Sequence, residues 1–191
     1  MNAFIDILAA SNAVLVGVCD ELVDPILFGD LEVSCVGFSQ EKVLLGPGRE
    51  ERFWVVTEPT STGLITSPLF LSGERYLLFL RHGRTEEVLA TAAKLPADRC
   101  FELTEIDSAT LLNGERRGGS FDLRIQRELG FTARENVPIF LEAMELLCRY
   151  ITSSPEERKH LEHLVERRAD SLGPWLQRQM ALYAARTSMP S

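Results

Sequence analysis

Four consecutive residues, Arg81, His82, Gly83 and Arg84, are the part of this chain whose side chains are best suited to chemistry. They directly follow an apolar run, so the imidazole is expected at the end of a strand. A histidine presented in this way can act as a nucleophile and accept a phosphoryl group. Guanidinium groups beside it would hold the phosphate oxygens through bidentate hydrogen bonds. The segment therefore suggests hydrolysis of a phosphate ester.

The same segment resembles the R-H-G-x-T motif that opens the histidine phosphatases and phosphoglycerate mutases. In that family the motif follows the first strand of an α/β sheet, and a second histidine completes the phosphate pocket. Here 80 residues precede Arg81, and the other histidines, His160 and His163, fall in a polar helical segment. The residues downstream do not alternate between strands and helices, as a parallel sheet requires. We therefore predict no catalytic residue and keep hydrolysis through His82 as the alternative function.

A second pattern is the spacing of Glu157, His160 and His163, which lie three residues apart. Residues at this spacing share one face of a helix, so these side chains could ligate a metal ion. The surrounding segment is charged at nearly every second position, which is typical of a solvated helix face. We therefore predict no metal site here.

The cysteines stand singly, without the close pairs of a structural zinc site. Cys19 and Cys35 are expected on successive strands and could meet, but four cysteines allow three pairings and the sequence assigns none. A buried free thiol behaves as a small apolar side chain, which is the simpler interpretation. Neither a disulfide nor a cofactor is predicted. The four are Cys19, Cys35, Cys100 and Cys148.

Composition limits the possible partners. The 191 residues are 45% hydrophobic and 25% charged, as in a globular protein of one medium domain or a small domain with an appendage. No apolar run approaches the roughly 20 residues of a membrane span, so no transmembrane segment is predicted. Residues 1–88 carry 13 acidic and 6 basic side chains, and the whole chain has a net charge of −8. Because nucleic-acid binding depends on Lys and Arg neutralising phosphates, we predict no nucleic-acid partner.

The first 120 residues show the patterns of a short helix and five short strands. The helix is predicted over 4–10, and the strands over 13–19, 31–45, 52–57, 75–80 and from 100 onwards. Turns are predicted at Asp24-Pro25, Gly29-Asp30 and 46–48, and one or two helical turns at 86–93. Short strands separated by turns suit a small closed barrel, because closure removes the exposed sheet edges.

The pattern becomes helical after Gly118-Gly119. Apolar residues from Ile139 to Ile151 recur at intervals of three and four, as on one face of a helix. Ser154-Pro155 then supplies a helix cap and a first-turn proline, and Gly173-Pro174 opens a further helix. The predicted fold is α+β, with a five-stranded OB-like barrel over residues 1–120. About three helices over residues 121–191 are expected to pack on the barrel.

Three of these strand patterns resemble a known family. They read S-N-A-V-L-V-G-V at 11–18, E-K-V-L-L-G at 41–46 and G-E-R-Y-L-L-F-L at 73–80. Over residues 3–115 they resemble the bacterial relatives of the netrin and tissue-inhibitor-of-metalloproteinase (TIMP-like) OB-fold domains. The resemblance implies an OB-fold barrel, and it does not imply protease inhibition, because the N-terminal cysteine of the inhibitory members is lacking here. The helical tail resembles a HEAT-type helix pair.

The connection between the third and fourth strands, residues 58–72, is the candidate contact surface. Apolar side chains on a long loop form a binding patch where they are exposed. We predict a non-catalytic protein-interaction or ligand-binding module. Its protein partner is not identified by the sequence, and neither is its oligomeric state. The family resemblance favours export after loss of a signal peptide, whereas the single cysteines favour the cytoplasm. The candidate binding residues are Leu64, Ile65, Leu69 and Phe70.

Overall fold

The computed structural model of the protein describes residues 4–28, 31–46, 52–57, 70–83, 94–105, 108–113, 120–168, 170 and 172–188. The strands within these ranges are β1 (Ala13–Phe28), β2 (Leu31–Leu45), β3 (Arg52–Thr57), β4 (Arg75–Arg81), β5 (Cys100–Leu103) and β6 (Ala109–Leu111). The helices are α1 (Phe4–Ala10), α2 (Ser120–Leu129), α3 (Val137–Thr152), α4 (Pro155–Glu166) and α5 (Leu172–Thr187). The helical turns predicted over 86–93 and the turns predicted at Gly29-Asp30 and 47–48 lie outside the described residues.

Strands β1 to β5 close into a barrel. Their order is β1-β2-β3-β5-β4, and β4 pairs back onto β1 along residues 13–18. The pairing of β3 with β5 is parallel, and the other pairings in the ring are antiparallel. Strand β6 adds to β4 outside the ring. The predicted α+β fold, with a five-stranded barrel followed by helices, is confirmed.

Aromatic rings fill the interior of the barrel. The ring of Phe38 on β2 stacks on Phe53 of β3 with centroids 5.3 Å apart, and it meets Phe70 edge-on at 5.2 Å. Tyr76 of β4 packs against the same ring at 6.1 Å. Such offset and edge-on pairs stabilise a core beyond the apolar area that they bury. These ring contacts therefore join β2, β3 and β4 inside the barrel.

Helix α1 lies between the barrel and the last helix. Phe4, Ile5, Ile7 and Leu8 are buried, in one apolar cluster with the outward-facing residues of β1 and β4. The backbone N–H of Ile5 donates a hydrogen bond of 3.2 Å to Oε1 of Gln179 on α5. This bond satisfies one of the donors that a helix start leaves unpaired. The first and last helices of the chain are therefore held together on the barrel.

The junction between α3 and α4 confirms the predicted helix start. The Ser154 hydroxyl accepts a hydrogen bond of 3.3 Å from the backbone N–H of Glu157. Nearby, the Arg158 guanidinium donates to the carbonyl oxygen of Ile151, 3.2 Å away, and lies 5.1 Å from the ring centroid of Tyr183 on α5. A cation at this place satisfies carbonyls that the end of α3 leaves unpaired. Arg158 thereby joins the last three helices.

One sequence prediction is wrong, and one possibility that the sequence left open is not realised. Asp24-Pro25 does not end the first strand, because β1 continues to Phe28 and accommodates both residues in a register shift between Val23 and Ile26. Such a bulge tolerates a proline, since the extra residue makes no ladder hydrogen bond. Cys19 and Cys35 do not meet, although they lie on successive strands. Cys19 packs in the barrel interior, whereas Cys35 belongs to a separate cluster on the outer face with Trp54.

Candidate interaction surface

Strands β1 and β2 continue as a two-stranded hairpin beyond the strands that flank them. Strand β4 pairs with β1 only along residues 13–18, and β3 pairs with β2 only along 34–39. The ladder between β1 and β2 runs on to the pair Phe28 and Leu31. We name residues 22–28 and 31–33 the arm. Among the described residues, no further strand pairs with either edge of the arm.

The register of the arm sorts its residues into two faces. Residues directly opposite each other in an antiparallel pair share a face. One face carries two apolar pairs, Ile26 with Val33 and Phe28 with Leu31, while the other carries Leu27 with Glu32. Residues two apart on a strand also share a face, so the apolar pairs lie on the side to which Cys35 belongs. These four residues, which the register places on one face, are named the apolar stripe.

The edges of the arm are poorly suited to adding another strand. Pro25 lies in the bulge of β1 and has no backbone N–H to donate to a neighbouring strand. Bulges and edge prolines are devices that prevent pairing between the edges of two sheets. The unpaired part of β2 is only residues 31–33, which is shorter than an average strand. Recognition through the face of the arm is therefore favoured over recognition through its edges.

An ionic cluster fixes the base of the arm. One guanidinium nitrogen of Arg52 on β3 lies 3.0 Å from Oδ1 of Asp20 and 2.7 Å from Oε2 of Glu21. The Ser39 hydroxyl donates a 2.5 Å hydrogen bond to Asp20. Gly37 leaves the space that these groups need, because a Cβ there would lie 3.1 Å from Cβ of Glu21. The cluster ties β1 to β3 across β2, immediately before the arm begins.

The described residues next to the predicted contact loop, Thr57 and Gly73, contact β2 and β1. Thr57, the last residue of β3, pairs with Ser34 beside the β2 edge of the arm. Gly73 donates a backbone hydrogen bond of 2.7 Å to the carbonyl oxygen of Cys19 on β1. Both described residues therefore lie close to the base of the arm in the strand ladder.

Of the four predicted binding residues, the structure describes one. Phe70 is only 3% exposed, and its ring packs against Phe38 and Tyr76 in the barrel core. Its side chain stabilises the barrel and is not part of the surface. Leu64, Ile65 and Leu69 lie outside the described residues, so their role in binding stays a prediction.

His82 lies at the end of β4 and is exposed. Its ring centroid is 4.7 Å from that of Phe101, and its backbone N–H donates a 2.9 Å hydrogen bond to Asn12. The guanidinium of Arg81 lies 3.7 Å from a carboxylate oxygen of Glu102. The phosphatase hypothesis requires Arg81 to hold phosphate, and a carboxylate beside it would repel that anion. Arg84 lies outside the described residues.

We expect no hydrolysis of phosphate esters that depends on His82. The strand before it makes only antiparallel pairings in the described residues, unlike a strand of a parallel sheet, and the carboxylate beside Arg81 opposes phosphate binding. The measurement is turnover of p-nitrophenyl phosphate by the wild type and by His82→Ala. His160→Ala is the matched control, since His160 is exposed on α4. Wild-type turnover that falls roughly tenfold in His82→Ala alone would contradict this expectation.

The four cysteine side chains are buried, and none of them forms a disulfide. Burial raises the pKa of Cys19 to about 11 and the pKa values of Cys35 and Cys148 to about 12. Because the thiolate is the reactive form, these thiols are not prepared for nucleophilic catalysis. In the described part of the chain, no three His, Cys, Asp or Glu side chains form a group that could hold a metal ion. The His163 imidazole lies 3.1 Å from Glu166 of its own helix.

The arm was not among the residues singled out in the sequence. A signal for it exists, because apolar residues at 26 and 28 and at 31 and 33 flank Gly29-Asp30 as in a β-hairpin. Position 25 is a proline, and a proline inside a strand pattern usually marks the end of the strand. The sequence pattern therefore predicted a turn there instead of a continued strand. The arm is identified only from the pairing register, which shows that β1 and β2 continue to pair beyond the residues paired with β4 and β3.

None of the helices in the described ranges is long and apolar enough to cross a membrane. Comparison with models of known protein families finds no match to this chain, and a search of curated proteins finds no relative. We therefore infer function from the fold and from the arm.

Proposed function

We propose that the chain is a non-catalytic protein-interaction module in which an OB-like, netrin-like or TIMP-like barrel presents the arm to a protein partner. The five-stranded closed barrel, with β1 shared between β2 and β4, supports the OB-like assignment. The observation that carries the proposal is the apolar stripe of an arm that projects beyond its flanking strands.

The barrel does not need the arm in order to close. Closure is made by the pairing of β1 with β4 along residues 13–18, before the arm begins. An isolated two-stranded hairpin is marginally stable in water, so its extension adds little to folding stability. An apolar stripe that the fold does not require is typical of a surface that binds a partner. The ionic cluster at its base holds this surface in a fixed direction, which lowers the entropy lost on binding.

The predicted contact loop fits the same proposal. Of the described residues beside it, Thr57 pairs with Ser34 of β2 and Gly73 bonds Cys19 of β1, near the base of the arm. A partner of the arm is therefore expected to contact the loop as well. Loops carried by a rigid barrel commonly supply such contacts.

The test removes the apolar character of the arm while leaving its charge unchanged. Ile26→Thr with Phe28→Thr keeps residues that favour strands. We expect capture from a lysate of the native host to lose, by roughly tenfold or more, a partner that the wild type retains in stoichiometric amount.

The matched control is Leu164→Thr, which replaces an apolar residue of α4 that is 45% exposed and far from the arm in the chain. This control should retain the partner as the wild type does. Urea unfolding should show the arm variant within about 1 kcal/mol of the wild type, since the strand pairing that closes the barrel lies outside the arm. Equal capture by the arm variant and the wild type, or no specific capture by the wild type, would refute the proposed function.

A further inference from the structure

We infer that the groove between the end of β2 and α3 is a binding site for a small, uncharged, apolar molecule. This site is separate from the arm and does not depend on the proposed function. The groove has a volume of about 460 Å³. Sites for small molecules commonly measure about 300 to 1,000 Å³ and often lie where two parts of a protein meet. The residues that line it are Val43, Leu44, Glu142, Glu145, Leu146 and Arg149.

A bulge at the end of β2 shapes one wall of the groove. Val14 of β1 pairs with Leu45. The next residue, Leu15, pairs with Val43, so Leu44 is an extra residue of β2. Consecutive side chains of a regular strand point to opposite faces, but here Val43 and Leu44 both line the groove. Bulges often lie beside functional sites, because they redirect a side chain in this way.

The apolar floor of the groove is anchored in both parts of the molecule. Val43 packs against the apolar cluster inside the barrel. Leu44 and Leu146 pack against the second cluster, which joins the outer face of the barrel to the helices. All three side chains are only partly buried, so each also offers apolar surface to the groove. An apolar molecule that removes this surface from water binds favourably, and the two clusters keep the floor in place.

The charged side chains that line the groove are already paired within the chain. Each lies in contact with a side chain of opposite charge, so the charges at the groove are balanced. A charged ligand would bring an uncompensated charge into a partly desolvated site, which costs free energy. An uncharged ligand avoids this cost. The pairs are Glu145 with Lys42, Glu142 with Arg168 and Arg149 with Glu157.

The extent of the apolar floor favours a small molecule over a protein as the occupant. A stable protein interface uses roughly 20 to 30 residues on each side. The floor consists of three apolar side chains, from Val43, Leu44 and Leu146, and the remaining lining residues are charged. Such an area can cover one face of a compact ring system, but it is small for a protein surface.

The experiment uses N-phenyl-1-naphthylamine, an uncharged probe whose fluorescence rises in apolar surroundings, titrated with the full chain. We expect saturable binding at one site. The matched probe, 8-anilinonaphthalene-1-sulfonate, has the same rings with an added sulfonate. It should bind roughly tenfold more weakly, because its charge would lie beside the carboxylates of Glu142 and Glu145. Equal or tighter binding of the sulfonate would overturn the inference, as would a signal from the uncharged probe that does not saturate.

Leu146→Gln tests whether the probe occupies this groove. Glutamine is of similar size and also favours a helix, but it removes part of the apolar floor. We expect it to weaken binding of N-phenyl-1-naphthylamine roughly fivefold. The matched control is Leu164→Gln on α4, where the replaced side chain is 45% exposed and does not line the groove. The control should change the affinity less than about twofold, and equal effects of the two variants would overturn the inference.

A labelling experiment gives the same answer if Leu146→Gln does not fold. Leu146→Cys places a partly exposed thiol in the groove, whereas the four natural thiols are buried and should react slowly. Saturating N-phenyl-1-naphthylamine should slow alkylation of the new thiol by N-ethylmaleimide about tenfold, since a bound molecule covers it. In the control, Leu164→Cys, alkylation should be unaffected by the probe. Equal alkylation of Leu146→Cys with and without the probe would overturn the inference.

Discussion

Replacing Phe4 with alanine is expected to lower the free energy of unfolding by about 3 to 5 kcal/mol. The side chain is 1% exposed, and its ring lies between the two parts of the molecule. Its centroid is 5.4 Å from that of Phe79 on β4 and 5.4 Å from that of Trp175 on α5. Truncation would leave a cavity between the barrel and the last helix, which the surrounding rigid elements cannot fill.

The two tryptophans allow each part of the molecule to be followed. Trp54 lies on β3 of the barrel, and Trp175 lies on α5 of the helical segment. Urea unfolding of Trp54→Phe and Trp175→Phe, each with and without Phe4→Ala, reports the two parts separately by fluorescence. Because Phe4 contacts both parts, the substitution should shift both transitions to lower urea by the same amount.

Two further variants serve as references for the loss of unfolding free energy expected in Phe4→Ala. Phe4→Leu keeps most of the buried volume and should cost less than about 1.5 kcal/mol, so it remains measurable if Phe4→Ala does not fold. Leu164→Ala removes a residue that is 45% exposed and should change the stability by no more than about 0.5 kcal/mol. A shift in the transition of one tryptophan only would contradict the expectation and show two independently folding units.

This result bears on the division of the chain predicted from its sequence. The boundary between residues 1–120 and 121–191 follows the change from strand to helical periodicity, and it stays a prediction. In the structure, α1 belongs by sequence to the first part but packs in one apolar cluster with α3, α4 and α5. Coincident unfolding would mean that the two parts form a single cooperative unit.

Local patterns were sufficient to predict most of the elements. Helix α1 and strand β3 have the bounds expected from apolar spacing and from β-branched and aromatic content. The start of α4 follows from Ser154-Pro155, because a capping hydroxyl and a first-turn proline act on their immediate neighbours. These features depend on residues close together in the chain, so a single sequence contains them.

Features that depend on pairing between distant strands were not predictable in the same way. Strand β6 pairs with β4 although some 30 residues separate them, and nothing in its three residues indicates the partner. The burial of Phe70 follows from its contacts with Phe38 and Tyr76, which lie on other strands. An apolar residue in a loop pattern is equally consistent with a core position and with a contact surface.

The candidate site illustrates the same limit. The arm is defined by where β3 and β4 stop pairing, and that point depends on the register of the whole barrel. Its composition, in contrast, can be read directly, since residues 22–28 and 31–33 contain Asp24 and Glu32 and no Lys, Arg or His. The residue types of the arm could therefore be read from the sequence. Its position in the fold follows only from the register of the pairing between β1 and β2.

Replacing Asp122 with asparagine is expected to stabilise the protein at neutral pH. This carboxyl lies in the first turn of α2, which packs against β6. Burial raises its pKa from 3.8 to about 6, although the Leu111 backbone N–H, the Thr110 hydroxyl and the Arg134 charge act in the opposite direction. Asparagine resembles the protonated carboxyl and carries no charge to desolvate. We expect a gain of about 1 to 2 kcal/mol at pH 7.5.

The sign of the pH dependence follows from proton binding. Between pH 3.8 and about 6 the folded state holds the Asp122 proton more tightly than the unfolded state. The contribution of Asp122 to stability is therefore fully present below that window, falls as the pH rises through it, and is constant above it. The difference between Asp122→Asn and the wild type should thus be near zero at pH 4 and should reach its full size at about pH 7. Urea unfolding at several pH values measures this curve.

Asp170→Asn provides a control of opposite sign. Hydrogen bonds from Arg168 lower the pKa of Asp170, and the carboxylate also accepts backbone N–H groups at the start of α5. Its contribution is present above its unfolded pKa and is lost as the pH falls, so Asp170→Asn should destabilise the protein at pH 7.5. If Asp122→Asn also destabilises at pH 7.5, hydrogen bonds to the ionised carboxylate outweigh its desolvation. The first turn of α2 would then be held to β6 by charge rather than loosened by it.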